Sequence, residues 1–180
     1  MGDTIFLIMG KSGAGKDAIV NALCHKYGLK RLNSYTTRPR RGPDDQHEFV
    51  YSYAGWLESN PDDTVVGYTY FADHHYWASR SQVDAADLYV IDPDGVAWFR
   101  DHYDGDKAIC AIYINVPWYK RLVRMWRRGD GFLAAMRRLA HDHHKFADAL
   151  NQADSVVRND EFENCVADIA DLIRRTGGIA

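Results

Sequence analysis

Cysteine is scarce, basic charge is not in excess, and no long apolar run exists. Cys24, Cys110 and Cys165 lie far apart with no C-x-x-C spacing, which argues against both a disulfide framework and a cysteine-built zinc site. Such usage fits a reduced compartment, and the cytoplasm is the expected location. No apolar stretch approaches the roughly 20 residues of a membrane span, and no signal-peptide pattern is found. Gly2 is followed by Phe6 where an acylation signal wants Ser or Thr. The formal net charge of -3 gives no bulk attraction for nucleic acid or a membrane. Neither is an expected partner.

What remains is an ordinary globular balance, 46% apolar and 26% charged residues in a chain of 180. That length fits one domain with a small insert and buries roughly 70% of the unfolded surface. "TIFLIM" (Thr4 to Met9) is a β-branched apolar run of the kind found in buried parallel strands. A glycine loop follows, then helical spacing through Ile19, Val20, Leu23 and Tyr27, stopping at Gly28. "DLYVID" and "AICAIYIN" are further strand candidates, each followed by a helical pattern. "DSVVRND" is a shorter one, before a helix from about Glu161 to Arg175. Strands alternating with helices imply a parallel sheet covered on both faces.

Residues 35 to 77 differ, holding 10 of the 23 aromatic residues. "HEFVYSY" and "VVGYTYF" suggest short strands there, in a mixed subdomain over 34–85. The core is then 1–33 and 86–180. The aromatics Trp56, Tyr68, Tyr70 and Phe71 read as subdomain core. His74 and His75 stay open as substrate contacts.

"MGKSGAGKD" (Met9 to Asp17) is a phosphate-loop pattern, Gly, four residues, Gly, Lys, except that Asp17 replaces the usual Ser or Thr. Successive backbone N–H groups and a helix N-terminus make such a loop an anion site. Gly13 and Gly15 permit positive backbone angles, and Lys16 supplies charge to a transferring phosphoryl group. The plainer alternative is a glycine turn capped by Ser12. Asp17 is a hard oxygen ligand suited to Mg²⁺, or a helix N-terminal acid favoured by the dipole.

"SYTTRPRR" (Ser34 to Arg41) sets three arginines within four positions, and guanidinium forks suit phosphate. A second basic run carries Lys120, Arg121, Arg124, Arg127, Arg128, Arg137 and Arg138, interrupted by Gly129 and Gly131. It reads as a glycine hinge bracketed by arginines, a lid over about 127–138. Lys120, Arg121 and Arg127 read as a solvated face, and so does "HDHH" (His141 to His144).

This order of segments, completed by "YVIDPDG" and "VVRND", resembles the guanylate kinase family over nearly the whole chain. The resemblance implies an α/β, three-layer P-loop NTPase fold with a parallel core sheet, an inserted acceptor-binding subdomain and a short arginine lid. It also implies an ATP-dependent nucleoside monophosphate kinase using ATP and Mg²⁺, with GMP or dGMP as the expected acceptor. The implied catalytic residues are Lys16, Arg38, Arg128, Arg138 and Asp92. Lys11, Ser12, Gly13, Ala14, Gly15, Lys16, Asp17 and Asn159 would hold ATP. Ser34, Arg38, Arg41, His47, Tyr76 and Ser79 would hold the acceptor, and Asp17 and Asp92 the metal. The expected partners are small-molecule nucleotides, with a homodimer left open.

The departures from the family pattern fall together. Phosphate-gripping positions are kept, but the glutamate that holds guanine's N–H edge aligns with Gly67. A hydroxyl of the acceptor site aligns with Ala78, with Ser79 one residue away. Phosphoryl transfer is therefore better supported than guanine specificity. Gly-Lys-Asp also resembles the ribose bisphosphate phosphokinases, which phosphorylate a sugar phosphate without a base. A non-catalytic guanylate-kinase-like binding module is the third alternative, opposed by the intact Lys16.

Overall fold

A computed structural model describes residues 3–40, 42, 43, 45–71 and 73–177. The elements run β1 (Thr4–Met9), α1 (Lys16–Tyr27), β2 (Arg31–Leu32), β3 (Tyr35–Thr36), β4 (Glu48–Phe49), α2 (Tyr53–Ser59), β5 (Val65–Phe71), β6 (His74–Ser79) and α3 (Arg80–Ala85). They continue with β7 (Leu88–Val90), α4 (Pro93–His102), β8 (Ala108–Asn115), α5 (Trp118–Arg127), α6 (Phe132–Lys145), α7 (Ala149–Gln152), β9 (Ser155–Arg158) and α8 (Phe162–Arg175). No described helix is long and apolar enough to cross a membrane.

β1 is buried along its whole length because it lies inside a five-stranded parallel sheet of order β2-β7-β1-β8-β9. Alternate residues feed two cores, as the twofold period of a strand requires. Phe6, Ile8, Leu88, Ile112 and Ile114 pack with Ile19 and Leu23 of α1 and with Ile169 and Ile173 of α8. Ile5, Leu7, Tyr89, Ile91 and Tyr113 pack on the opposite face with Val96 and Phe99 of α4 and with Phe146. The result is the expected three-layer α/β arrangement. Gly28 ends α1 at φ 69°, its N–H donating to Cys24 O at 3.0 Å, the left-handed cap that glycine tolerates.

A second sheet, order β4-β3-β6-β5, carries the aromatic segment, with β3 parallel to β4 and antiparallel to β6. Trp77 is fully buried among Tyr35, Tyr53 and Trp56. Trp56 thus belongs to this core, whereas Tyr70 and Phe71 are exposed, contrary to the expectation for them. "HEFVYSY" is a strand only at Glu48–Phe49. Ser52 ends that extension by accepting from Gly55 N at 3.2 Å and capping α2, a local bond that overrides the aromatic strand preference.

Candidate active site

The phosphate loop connects β1 to α1. Gly13 and Gly15 take φ 77° and 90°, and a Cβ on Gly13 would lie 2.9 Å from the Arg121 carbonyl. Glycine is therefore required there by both backbone angle and space. Lys16 folds its ammonium back onto Gly10 O at 2.5 Å. Burial lowers its pKa, partly offset by the charges of Asp17, Asp142 and Asp92. Asn159, completely buried, donates from Nδ2 to Ala14 O at 2.8 Å. Arg124 clamps the same carbonyl at 3.2 Å and the Asn159 carbonyl at 3.2 Å. Asn159 thus supports the loop from behind. Lys11 lies outside this nest, in a shallow depression with Trp118 and Met136.

Two readings of the basic and histidine-rich helices need correction. Arg121 is not solvated but buried, donating to Asp142 Oδ2 at 3.0 Å and to Ser12 O at 3.3 Å. Asp142, placed within a supposed solvated face, is also buried and accepts from Ser12 N at 2.8 Å and Ser12 Oγ at 3.2 Å. The neighbouring His141, His143 and His144 are exposed. One residue of the four faces inward because a helix turns about 100° per residue. One turn beyond Asp142 on α6, Lys145 reaches the same region and pairs with Asp92 at 2.7 Å.

Asp92 caps α4, accepting from Gly95 N at 2.8 Å, and also accepts from Thr69 Oγ1 at 3.1 Å. Asp17 projects from the first turn of α1 and pairs with Arg31 at 2.6 Å. Crowding by the protein works against its ionisation, yet the Arg31 hydrogen bond and charge hold its carboxyl below the usual range. Among the described residues no three His, Cys, Asp or Glu cluster to hold a metal by themselves. Asp17 and Asp92 do flank Lys16 electrostatically. An octahedral ion that keeps water and phosphate ligands asks for only one or two carboxylates. Asp17, largely exposed, meets that demand more freely than Asp92, both of whose oxygens have protein partners.

Opposite the loop, a cavity of about 260 Å³ opens between the two sheets, lined by Lys16, Ser34, Arg38, His47, Tyr76 and Asp92 among others. Ser34 Oγ and His47 Nδ1 lie 3.0 Å apart. Burial and then the Arg38 charge lower the His47 pKa, so its ring is neutral at pH 7. Arg38, itself buried, is held by Asp45 at 2.9 Å and by Pro39 O at 2.9 Å. Its Nε has no partner among the described residues. Arg41 lies outside the described residues. Ser79 does not line this cavity: it caps α3 in a capping box with Gln82. His75 is likewise structural, sharing a 2.8 Å hydrogen bond with Tyr68 and stacking on Tyr53.

A second cavity, about 410 Å³, adjoins the first through Asp92 and Phe146 and is bordered by Ser12, Arg138 and Lys145. Arg128 and Arg138 both hold Asp130 at the α5–α6 corner, at 2.6 and 3.2 Å. Arg128 lines neither cavity. The site therefore gathers Lys16, Arg38, Ser34, His47, Tyr76 and Asp92, with Arg138 at its edge. Sequence reasoning missed Arg31, Thr69, Arg124, Asp142 and Lys145. The i, i+3 spacing of Asp142 and Lys145 on one helix was the only available signal for the last two.

No protein-family model matches the chain. It is 27% identical to a guanylate kinase from Cupriavidus pinatubonensis, over 96% of this chain and 83% of that protein. It is also 27% identical to a guanylate kinase from Alkalilimnicola ehrlichii, over 94% and 87%. Its fold is that of the crystal structure of guanylate kinase from Anaplasma phagocytophilum, with TM-score 0.59, 18% identity and coverage of 97% and 86%.

Proposed function

We propose that the chain is a guanylate-kinase-like enzyme, one that moves the γ-phosphoryl group of MgATP to a nucleoside monophosphate. GMP or dGMP is the favoured acceptor, following the names of its relatives. The observation that carries the reading is a phosphate loop and an Arg38–Ser34–His47 cluster meeting across one cavity that Lys16 also lines. A donor site and an anion-binding acceptor site thus share one cleft, as in-line transfer needs.

In this reading residues 34–85 form the acceptor subdomain and 127–138 the arginine lid. Phosphate of the acceptor rests on Arg38, Ser34 and the neutral His47, with Tyr76 edge-on to His47 at 5.7 Å. ATP phosphates occupy the loop from Ser12 to Asp17, with Lys11 outside it. Lys16 leaves Gly10 O to meet the transferring group, where charge stabilisation, not a covalent intermediate, lowers the barrier. Magnesium arriving with ATP would neutralise phosphate charge, held by Asp17 with Asp92 nearby. Arg138 reaches the same region from α6, and Arg128 requires movement of the corner to join it. The cytoplasm is the assigned place of action, and a homodimer is the assembly to test by sedimentation.

Among the described residues no carboxylate besides Asp92 lines the cavity, which favours a second reading, phosphorylation of a sugar phosphate. ADP formation measured with GMP, dGMP, AMP, CMP, UMP, dTMP and ribose 1,5-bisphosphate separates the two. Turnover with GMP or dGMP supports the first reading. Turnover with the sugar phosphate alone replaces it by the second.

A further inference from the structure

Tyr89 stands on β7 of the core sheet, yet its ring spans to the second sheet and lines the 260 Å³ cavity. A Cβ placed on Gly67 would lie 3.2 Å from both its Cε1 and its hydroxyl oxygen, and 3.6 Å from Ala78 Cβ. Gly67 pairs with Ala78 across β5 and β6, so two small residues side by side form a notch that receives the ring. The side chain is only 5% exposed, packed at one edge against Phe99. Its hydroxyl nonetheless has no hydrogen-bond partner among the described residues, unlike Tyr68 and Tyr103, whose hydroxyls are paired. It is not among the fully enclosed unpaired side-chain atoms of the described residues; Tyr89 lines the cavity, and phenylalanine would fill the same notch without a donor there.

The register fixes where this hydroxyl sits relative to the anion cluster. Thr36 pairs with Tyr76 and Tyr76 with Thr69, and Gly67 is two residues from Thr69 on the same face. Ser34 and Arg38 flank Thr36 by two residues on either side. β5 is separated from β3 by β6 alone, placing the Gly67–Tyr89 notch about 10 Å across the sheet from the anion cluster. That is the reach of a sugar phosphate carrying a base. Among the described residues the one carboxylate in the lining, Asp92, is spent on Gly95, Thr69 and Lys145. A neutral phenol is thus a free polar group at this end among the described residues, and a phenol is a good donor to a carbonyl oxygen.

We propose that Tyr89 is the residue that selects the acceptor, its hydroxyl donating to the keto oxygen of the base of a nucleoside monophosphate whose phosphate lies at Ser34, Arg38 and His47. This rests on the assignment of that cavity to the acceptor. Guanine, uracil and thymine offer such an oxygen on the edge away from the sugar, whereas adenine and cytosine offer an amino group there.

The test is calorimetric binding, without turnover, of GMP, UMP, dTMP, AMP, CMP and base-free ribose 5-phosphate to the wild type and to Tyr89→Phe. The expected result is tighter wild-type binding of one or more keto mononucleotides than of ribose 5-phosphate. Tyr89→Phe should weaken them about tenfold, leave ribose 5-phosphate and ATP unchanged, and melt no lower than wild type. Gly67→Ala, which has no positive φ to strain and addresses only the ring, should weaken the same nucleotides. The proposal is overturned if Tyr89→Phe binds every ligand as the wild type does, or if it loses ribose 5-phosphate equally. It is also overturned if the wild type binds ribose 5-phosphate as tightly as any nucleotide. Base-dependent binding without ADP formation would support the Tyr89 contact while refuting the kinase reading.

Discussion

Replacing Asp142 by alanine tests the link between the phosphate loop and α6. Arg121 and Asp142 are 3.0 Å apart with side chains only 6% exposed, and Asp142 also accepts from Ser12 N and Oγ. The substitution leaves a buried guanidinium without its carboxylate and a loop N–H without an acceptor. Breaking a buried pair from one side costs about 3–5 kcal/mol, a large share of the 5–15 kcal/mol typical of a domain. For a chain of this size that is a fall in Tm of roughly 6–20 °C. Thermal and urea unfolding followed by circular dichroism would read it. The companion variant Arg121→Met/Asp142→Leu removes both charges and should recover much of the loss, because the penalty lies in the orphaned charge. A loss below about 1 kcal/mol for Asp142→Ala, or a double variant as unstable as the two singles summed, would refute the reasoning.

Lys16→Ala should lower kcat for ADP formation about 100- to 1,000-fold, as loss of one preorganised donor to a developing charge does; unchanged transfer would remove Lys16 from the chemistry. Asp17→Asn should raise the Mg²⁺ concentration needed for half-maximal rate. An unaltered Mg²⁺ requirement would leave Asp17 as a helix N-terminal acid alone. His47 has its pKa depressed below 6.5 by burial and by Arg38, so between that folded value and 6.5 the unfolded chain binds the extra proton. Stability from this residue is intact above pH 6.5, declines as pH falls from 6.5 through the folded value, and is level below it. Stability curves for wild type and His47→Gln between pH 5 and 8 should differ in slope only in that acid window, and parallel curves would refute the assignment.

The phosphate loop was legible in the sequence because its requirements are local. Gly13 and Gly15 must accept positive φ, a buried strand must precede them, and Lys16 must follow. The strands at Thr4–Met9, Ala108–Asn115 and Val65–Phe71 were equally visible, since apolar and β-branched runs carry their own burial signal. "HEFVYSY" misled because a single serine cap competes with aromatic strand preference at short range.

Composition and spacing by themselves determined the fold class and the strand, glycine loop and helix that form the candidate phosphate loop. Only the tertiary structure decided which charges are structural: Arg121 and Asp142 look solvent-facing in sequence yet bury each other across 21 positions. It also decided that Asp92 answers to Lys145, and that Tyr89 fills the space above Gly67. Local propensity acts through neighbours in the chain, whereas pairing of buried charges and filling of a notch depend on which distant segments the packed core brings together.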